Sequence, residues 1–359
     1  MEDKINGSVN NTVKKYLDMA IERKASDLHL TVGVVPTLRV DGRLVAISNE
    51  SVLTVETNDR LVKSLMNADQ IKRLIEKKEL DFSFGYKDTR FRTNTYYQKG
   101  YLSASLRLIN HNIKSISELG LPPILEKFTA PSQGFVIITG PTGHGKSTTL
   151  AAMVDHINKS KSDHIVTIED PIEYVFEHEK SIISQRELGS DTFSFSRALR
   201  AVLREDPNVV LVGEMRDLET IEAALTVAET GHLVFTTLHT NSAAQTADRI
   251  IDVFPPHQQQ QVRMQLANVL LGVVSQRLIP KTNGGRVAVC EIMTVNGAVK
   301  NMIREGKTHQ LNNIIQTSAS EGMISLDKVL AELVSKGDIT LDDALTWAID
   351  PKSFKMMVY

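Results

Sequence analysis

Apolar and polar positions alternate in two different rhythms along the chain. In NTVKKYLDMAIERKA, Val13, Leu17 and Ile21 share a helical face with Tyr16 and Ala20 beside it. The runs DLHLTVG and PTLRVDGRLVAI follow with strand character, the second folding back on Asp41-Gly42 as a two-residue hairpin. A helix is expected around 56–77. RFRTNTYYQ and YLSASLRLI then flank Lys99-Gly100 as a further hairpin. Residues 1–110 therefore read as a small α+β unit, and the turn-rich stretch 111–131, with Pro122-Pro123, reads as a linker.

From residue 132 the rhythm changes. GFVIITG, HIVTIED, NVVLVGEM and HLVFTTLHT are short β-branched runs, and helical patterns such as LETIEAALTVAET separate them. That alternation predicts an α/β fold: a mostly parallel sheet with helices on both faces. Beyond 255 the pattern reads as largely helical and ends in a helical bundle at 296–349. The segment 132–359 is thus expected to be one domain. HQQQQ at 257–261 is too short to count as low complexity, and no internal repeat is visible.

Composition narrows the classes of function. The 359 residues are 42% apolar and 23% charged, which describes an ordinary globular protein. A net charge of −2, one tryptophan and 5% aromatics argue against a dedicated nucleic-acid binder. The apolar run VLLGVV at 269–274 is far short of the ~20 residues a membrane span requires. MEDKINGSVNN carries no apolar leader, so a cytoplasmic protein is expected. Cys290 is the single cysteine, which leaves no internal disulfide and no multi-cysteine zinc cluster.

The chemistry concentrates in four stretches. GPTGHGKSTT places Gly140, Gly145, Lys146 and Ser147 in the G-x-x-x-x-G-K-[ST] pattern, between an apolar strand and a helix. The stretch Gly140, Pro141, Thr142, Gly143, His144, Gly145, Lys146, Ser147 and Thr148 can then cradle ATP phosphates, with every residue except Pro141 offering a backbone N–H. Lys146 would reach the β- and γ-phosphates, and Ser147 would hold Mg2+. His144 is unusual in this loop. Since Gly143 and Gly145 already supply backbone freedom, its imidazole is expected to point outward. The alternative is a contact with nucleotide or a neighbouring subunit, which would make ATP affinity depend on pH.

NVVLVGEMRD delivers Glu214 to the carboxyl end of a buried strand, where it could act as general base or bind the metal through water. TIEDPIEY puts Glu169, Asp170 and Glu173 near the end of another strand, a natural complement to Mg2+ or a neighbouring arginine. An exposed acidic turn is the simpler alternative there. In TGHLVFTTLHTN, His232 and His239 sit at opposite ends of one strand, ~20 Å apart, so the signal for joint metal ligation is weak. His239 could hydrogen-bond the γ-phosphate, or simply be satisfied by packing. Arg92 and Arg107 alternate with apolar residues on facing strands, either as solvent-facing positions or as stabilisers of transition-state charge.

Taken together and in order, GPTGHGKSTT, TIEDPIEY, VVLVGEMRD and AETGHLVFTTLHTN resemble the secretion and pilus ATPase superfamily, and most closely its type IV pilus retraction ATPases. The similarity runs from KASDLHLTVG to GDITLDDAL. The resemblance implies a PAS-like N-terminal domain, a RecA-like P-loop ATPase domain with a helical C-terminal region, and a ring-shaped homohexamer. By position, it makes Glu214 the catalytic glutamate and Glu169 the aspartate-box acid near metal and water. His232 and His239 become the histidine-box pair, and Arg92 and Arg107 the arginine fingers. It further implies an inner-membrane pilus platform protein of the PilC type as partner, pilin as the indirect target, and a position at the pilus base. AVKNMIREGK at 298–307 resembles the retraction signature AIRNLIRE, with Val299 and Lys300 in place of isoleucine and arginine. An assembly motor of the same superfamily is the alternative, which the single cysteine and short amino terminus disfavour. A RecA-like nucleic-acid translocase and a nucleotide-binding scaffold without turnover are the alternatives from other classes.

Overall fold

The computed structural model describes residues 10–87, 89–109 and 112–358; the opening stretch read as lacking a leader lies mostly outside them, as does the start of the linker. The chain divides into two compact units, Met1–Asn112 with Glu173–Val175, and Ile113–Ile172 with Phe176–Tyr359.

The first unit opens with α1 (Asn11–Glu22), whose first turn is capped by the Asn10 side chain accepting from the Thr12 N–H. β1 (Asp27–Leu30), β2 (Thr37–Val40) and β3 (Arg43–Ala46) follow, then α2 (Val55–Lys63) and α3 (Ala68–Lys77). β4 (Glu79–Tyr86), β5 (Thr89–Gln98) and β6 (Tyr101–Ile109) complete an antiparallel sheet in the order β3-β2-β1-β6-β5-β4. Both hairpins form where expected. Asp41-Gly42 (φ 48°, 78°) and Lys99-Gly100 (φ 49°, 84°) have two positive φ values each, the backbone of a type I′ turn. The single helix expected at 56–77 is two helices instead. Asn67 and Gln70 form a reciprocal capping box, which starts a new helix and breaks the old one. β4 was not anticipated, although Leu80, Phe82, Phe84 and Tyr86 alternate into the core.

The second unit begins with α4 (Ile124–Thr129), inside the stretch read as linker. Its sheet contains β7 (Gly134–Thr139), β8 (His164–Glu169), β9 (Ile182–Glu187), β10 (Val209–Val212), β11 (Leu233–Leu238), β12 (Leu270–Pro280) and β13 (Arg286–Thr294). Their order is β13-β12-β7-β11-β10-β8-β9, all parallel except the β12–β13 pair. β7, β10 and β11 are buried along their whole length, as a sheet covered on both faces requires. Phe135 and Ile137 join the core built with α7 (Leu218–Glu229), so Val136 and Ile138 face the other side, where α5 (Lys146–Ser160) lies on β7. α6 (Phe195–Val202), α8 (Ala243–Asp252) and α9 (Pro256–Val269) complete the α7-side layer.

The reading of the region beyond 255 as largely helical is corrected by β12 and β13. An uninterrupted apolar run does not distinguish a buried strand from a buried helix, and the Gly284-Gly285 turn (φ 86°, 75°) is what closes this hairpin. Helices do follow: α10 (Gly297–Glu305), α11 (Leu311–Thr317), α12 (Leu326–Ser335), α13 (Leu341–Trp347) and α14 (Pro351–Val358). The last three pack on the β12–β13 hairpin around Ile279, Val289, Leu330 and Phe354, a core of their own.

Candidate active site

The parallel strands set the site, because their carboxyl ends lie along one edge of the sheet. β7 delivers the glycine-rich loop, β11 delivers His239, β10 delivers Glu214, and β8 ends at Glu169. These are four consecutive strands in that order.

The loop is held at its stem and at its tip. At the stem, the Thr240 N–H donates to the Thr139 hydroxyl (2.9 Å), tying the end of β7 to the segment after β11. Gly140 has φ 140°, and a Cβ there would sit 2.3 Å from the Gln276 carbonyl oxygen, so only glycine fits. At the tip, Gln276 donates its Nε2 to the His144 carbonyl (2.8 Å), and the Leu278 N–H donates to His144 Nδ1 (3.0 Å). This corrects the expectation that the imidazole points outward: it lies against β12 and meets the Trp347 ring edge-on at 5.1 Å. Burial and the positive charges of Arg277, Lys146 and Arg286 lower its pKa, keeping Nδ1 free of a proton to accept.

Thr142 and Gly143 are exposed and Pro141 is half-buried. α5 starts directly at Gly145 (φ 81°) with no side-chain cap, so its amino end presents backbone N–H groups and the positive end of the helix dipole. Lys146 is buried, and its ammonium donates to the carbonyls of Gly140 (2.9 Å) and Pro141 (3.0 Å). Ser147 and Thr148 lie half-buried in the first helical turn. Uncapped N–H groups and a lysine beside an exposed glycine turn, with Ser147 next in the helix, fit a polyphosphate.

Glu214 follows Gly213, where the chain passes so close to β8 that a Cβ would meet the Glu169 Cα at 3.3 Å. Arg216 holds one carboxylate oxygen of Glu214 at 2.6 Å, and His239 Nε2 approaches the other at 3.6 Å. His239 has a lowered pKa, from burial first and then the charge of Lys146, so its ring is neutral near neutral pH. Glu169 accepts from the Thr167 hydroxyl at 2.6 Å. Glu173 groups with the first unit. His232 stands at the opposite, amino end of β11, where its Nδ1 is 3.0 Å from the Val227 carbonyl and 3.1 Å from the Thr230 hydroxyl. Within this chain it is not brought to the loop.

In the first unit, cross-strand pairing aligns Ser83, Arg92, Arg107, Asp27 and Arg39 in one row across five strands. Arg107 donates Nε to Asp27 (2.9 Å), Arg39 approaches the same carboxylate at 3.8 Å, and Arg92 is exposed. Asp27 was not singled out in the sequence, nor were Gln276, Arg277 and Leu278. The last three lie in β12, where a strand was not expected.

A glycine loop between strand and helix, with a glutamate and a histidine on neighbouring strand ends, defines a RecA-like P-loop nucleotide-binding unit preceded by an α+β unit. The chain belongs to the type II/IV secretion system protein family, whose match covers residues 2–345. It is 48% identical over 343 residues to a Pseudomonas aeruginosa protein named type IV pilus retractation ATPase PilT, covering 95% of this chain and 99% of that one. It is also 48% identical over 311 residues to a Neisseria gonorrhoeae twitching motility protein, covering 86% and 83% of the two chains. A solved structure described as the pilus retraction motor PilT with bound ADP superposes with a TM-score of 0.90 at 48% identity, covering 96% and 99%.

Proposed function

We propose that this chain is the ATP-hydrolysing motor of type IV pilus retraction. The observation that carries it is the alignment on one sheet edge of the glycine-rich loop with its uncapped helix, His239 and Arg216-held Glu214. Glycine backbone, α5 N–H groups and Lys146 bind the phosphates of ATP. Arg216 fixes one oxygen of Glu214, leaving the other to take a proton from the attacking water. Neutral His239 carries an N–H that can donate to the terminal phosphate. Arg92 and Arg107 neutralise the charge that develops on that phosphate, from the same chain or a neighbour. His232 fixes the turn into β11, and so acts on His239 through the strand.

Mg2+, if held beside Ser147, would supply positive charge against the phosphates during transfer. Among the described residues no three His, Cys, Asp or Glu side chains converge on a metal position. Ser147 would hold a magnesium directly, and Glu169 and Glu214 would do so through water, a mode that suits this ion.

ATP binding, hydrolysis and product release supply the conformational change that does the work. In a homohexamer these steps act on an inner-membrane platform protein of the PilC type and, through it, on pilin. The chain acts at the pilus base as a peripheral protein on the cytoplasmic side; no helix among the described residues is long and apolar enough to cross a membrane. Two compact units in one chain support the division into a PAS-like N-terminal domain, residues 1–110, and an ATPase domain, 132–359. Deleting the gene tests the direction of work. Cells should keep abundant surface pili and lose twitching, whereas loss of the pili would assign the chain to assembly.

A further inference from the structure

Trp347 is the single tryptophan of the chain and closes α13. Its ring meets the His144 imidazole at 5.1 Å and 68°, and the Arg277 guanidinium lies 5.5 Å from the ring centre. Arg277 is 3% exposed, and its two terminal nitrogens donate to the carbonyls of Gln276 (2.9 Å) and Asn241 (2.6 Å). One tryptophan thus touches the tip of the phosphate loop and the arginine that grips the segment just beyond His239. The end of α13 is itself held: buried Asp327 of α12 accepts from the N–H groups of Ile349 (2.8 Å) and Asp350 (3.1 Å). The contacts between α13 and the loop therefore join two well-held bodies.

We propose that Trp347 is a positioning residue that couples the phosphate loop to the C-terminal helices α12–α14, through its paired contacts with His144 and Arg277. The proposal rests on the nucleotide-binding reading of the loop. His144 is itself the loop tip, so a rearrangement around phosphates strains the bonds of its carbonyl and ring to β12 and shifts the ring against Trp347. Any such movement changes the packing on Trp347, and by reciprocity the position of α13 changes the affinity of the loop. The helices that respond share one small core on β12 and β13, so a displacement at Trp347 reaches α12 and α14 together.

The test uses the full chain with MgADP, following binding by calorimetry, the state of the ring by tryptophan emission, and residues 341–349 by hydrogen exchange. In the unaltered protein, ADP should change the emission and slow exchange in 341–349. Trp347→Leu should bind ADP about fivefold or more weakly, with 341–349 no longer responding at saturation. Trp347→Phe keeps a ring and should retain most of the exchange response. ADP binding with unchanged emission and unchanged exchange in the unaltered protein would overturn the coupling alone. Trp347→Leu with unaltered affinity and an intact exchange response would do the same. Failure of the unaltered chain to bind ADP would remove the nucleotide-binding reading, and the coupling with it.

Discussion

The two units solve opposite problems with their sheets. In the first, strands such as β4 and β5 alternate buried and open positions, so one face makes the core and the other carries Arg92, Arg107, Asp27 and Arg39 in a row. In the second, β7, β10 and β11 are buried throughout, and the candidate site residues Glu169, Glu214 and His239 lie at the strand ends. A half-open sheet offers function along its whole surface. A closed one confines it to an edge, where backbone geometry decides which residues fit.

That contrast predicts where a small change does most damage to the fold. Gly140→Ala should cost about 3 kcal/mol or more and abolish ADP binding, because the added carbon meets the Gln276 carbonyl at 2.3 Å. Gly143→Ala has open space around it and pays only for its backbone (φ 80°), about 1–2 kcal/mol. Equal denaturation midpoints for the two variants would contradict the account of the closed edge. On the open sheet, Asp27→Asn should cost about 1–2 kcal/mol, since it removes the carboxylate between Arg107 and Arg39. Arg107 is exposed and Arg39 half-buried, which keeps the figure modest. Urea denaturation of the full chain measures it.

Acid should weaken the closed edge. His144 and His239 both have pKa values lowered from the usual 6.5 by burial and neighbouring cations. Their neutral forms are favoured in the fold, so the stability they contribute is full above about pH 6.5 and is lost as pH falls below it. Denaturation midpoints between pH 8 and 5 should therefore decline, and His144→Ser should flatten part of that decline. An identical slope in the variant would remove His144 from the explanation. The smallest effect on stability belongs to Arg92→Ala, within about 0.5 kcal/mol because the side chain is exposed. Turnover should nevertheless fall at least tenfold if this residue meets the transferred phosphate. Unchanged turnover would return Arg92 to the role of a solvated sheet position.

The sequence was most legible where a local rule decides the structure. Asp41-Gly42 and Lys99-Gly100 specify type I′ turns by themselves, and the loop at 140–147 announces its strand and helix. It was least legible where burial overrides periodicity. β12 presents a long apolar run that fits helix or strand equally, and its partner β13 is revealed only by the Gly284-Gly285 turn. Missing β12 also hid the groups that grip the phosphate loop, Gln276, Arg277 and Leu278. The orientation of His144 followed from that loss. Its neighbours in sequence are glycines, but its partners in space lie more than 130 residues away. Glu214 and His239 were visible because each ends a β-branched run, although their approach to one another required the strand order.

The central claim is that Glu214, held by Arg216 beside His239, removes the proton from the attacking water. The direct measurement is steady-state ATP hydrolysis by purified Glu214→Gln alongside its affinity for ATP. The amide keeps the shape of the side chain and loses the basic oxygen, so turnover should drop about 100-fold or more while ATP binding persists. Turnover equal to that of the unaltered chain would contradict the assignment of Glu214 as the base.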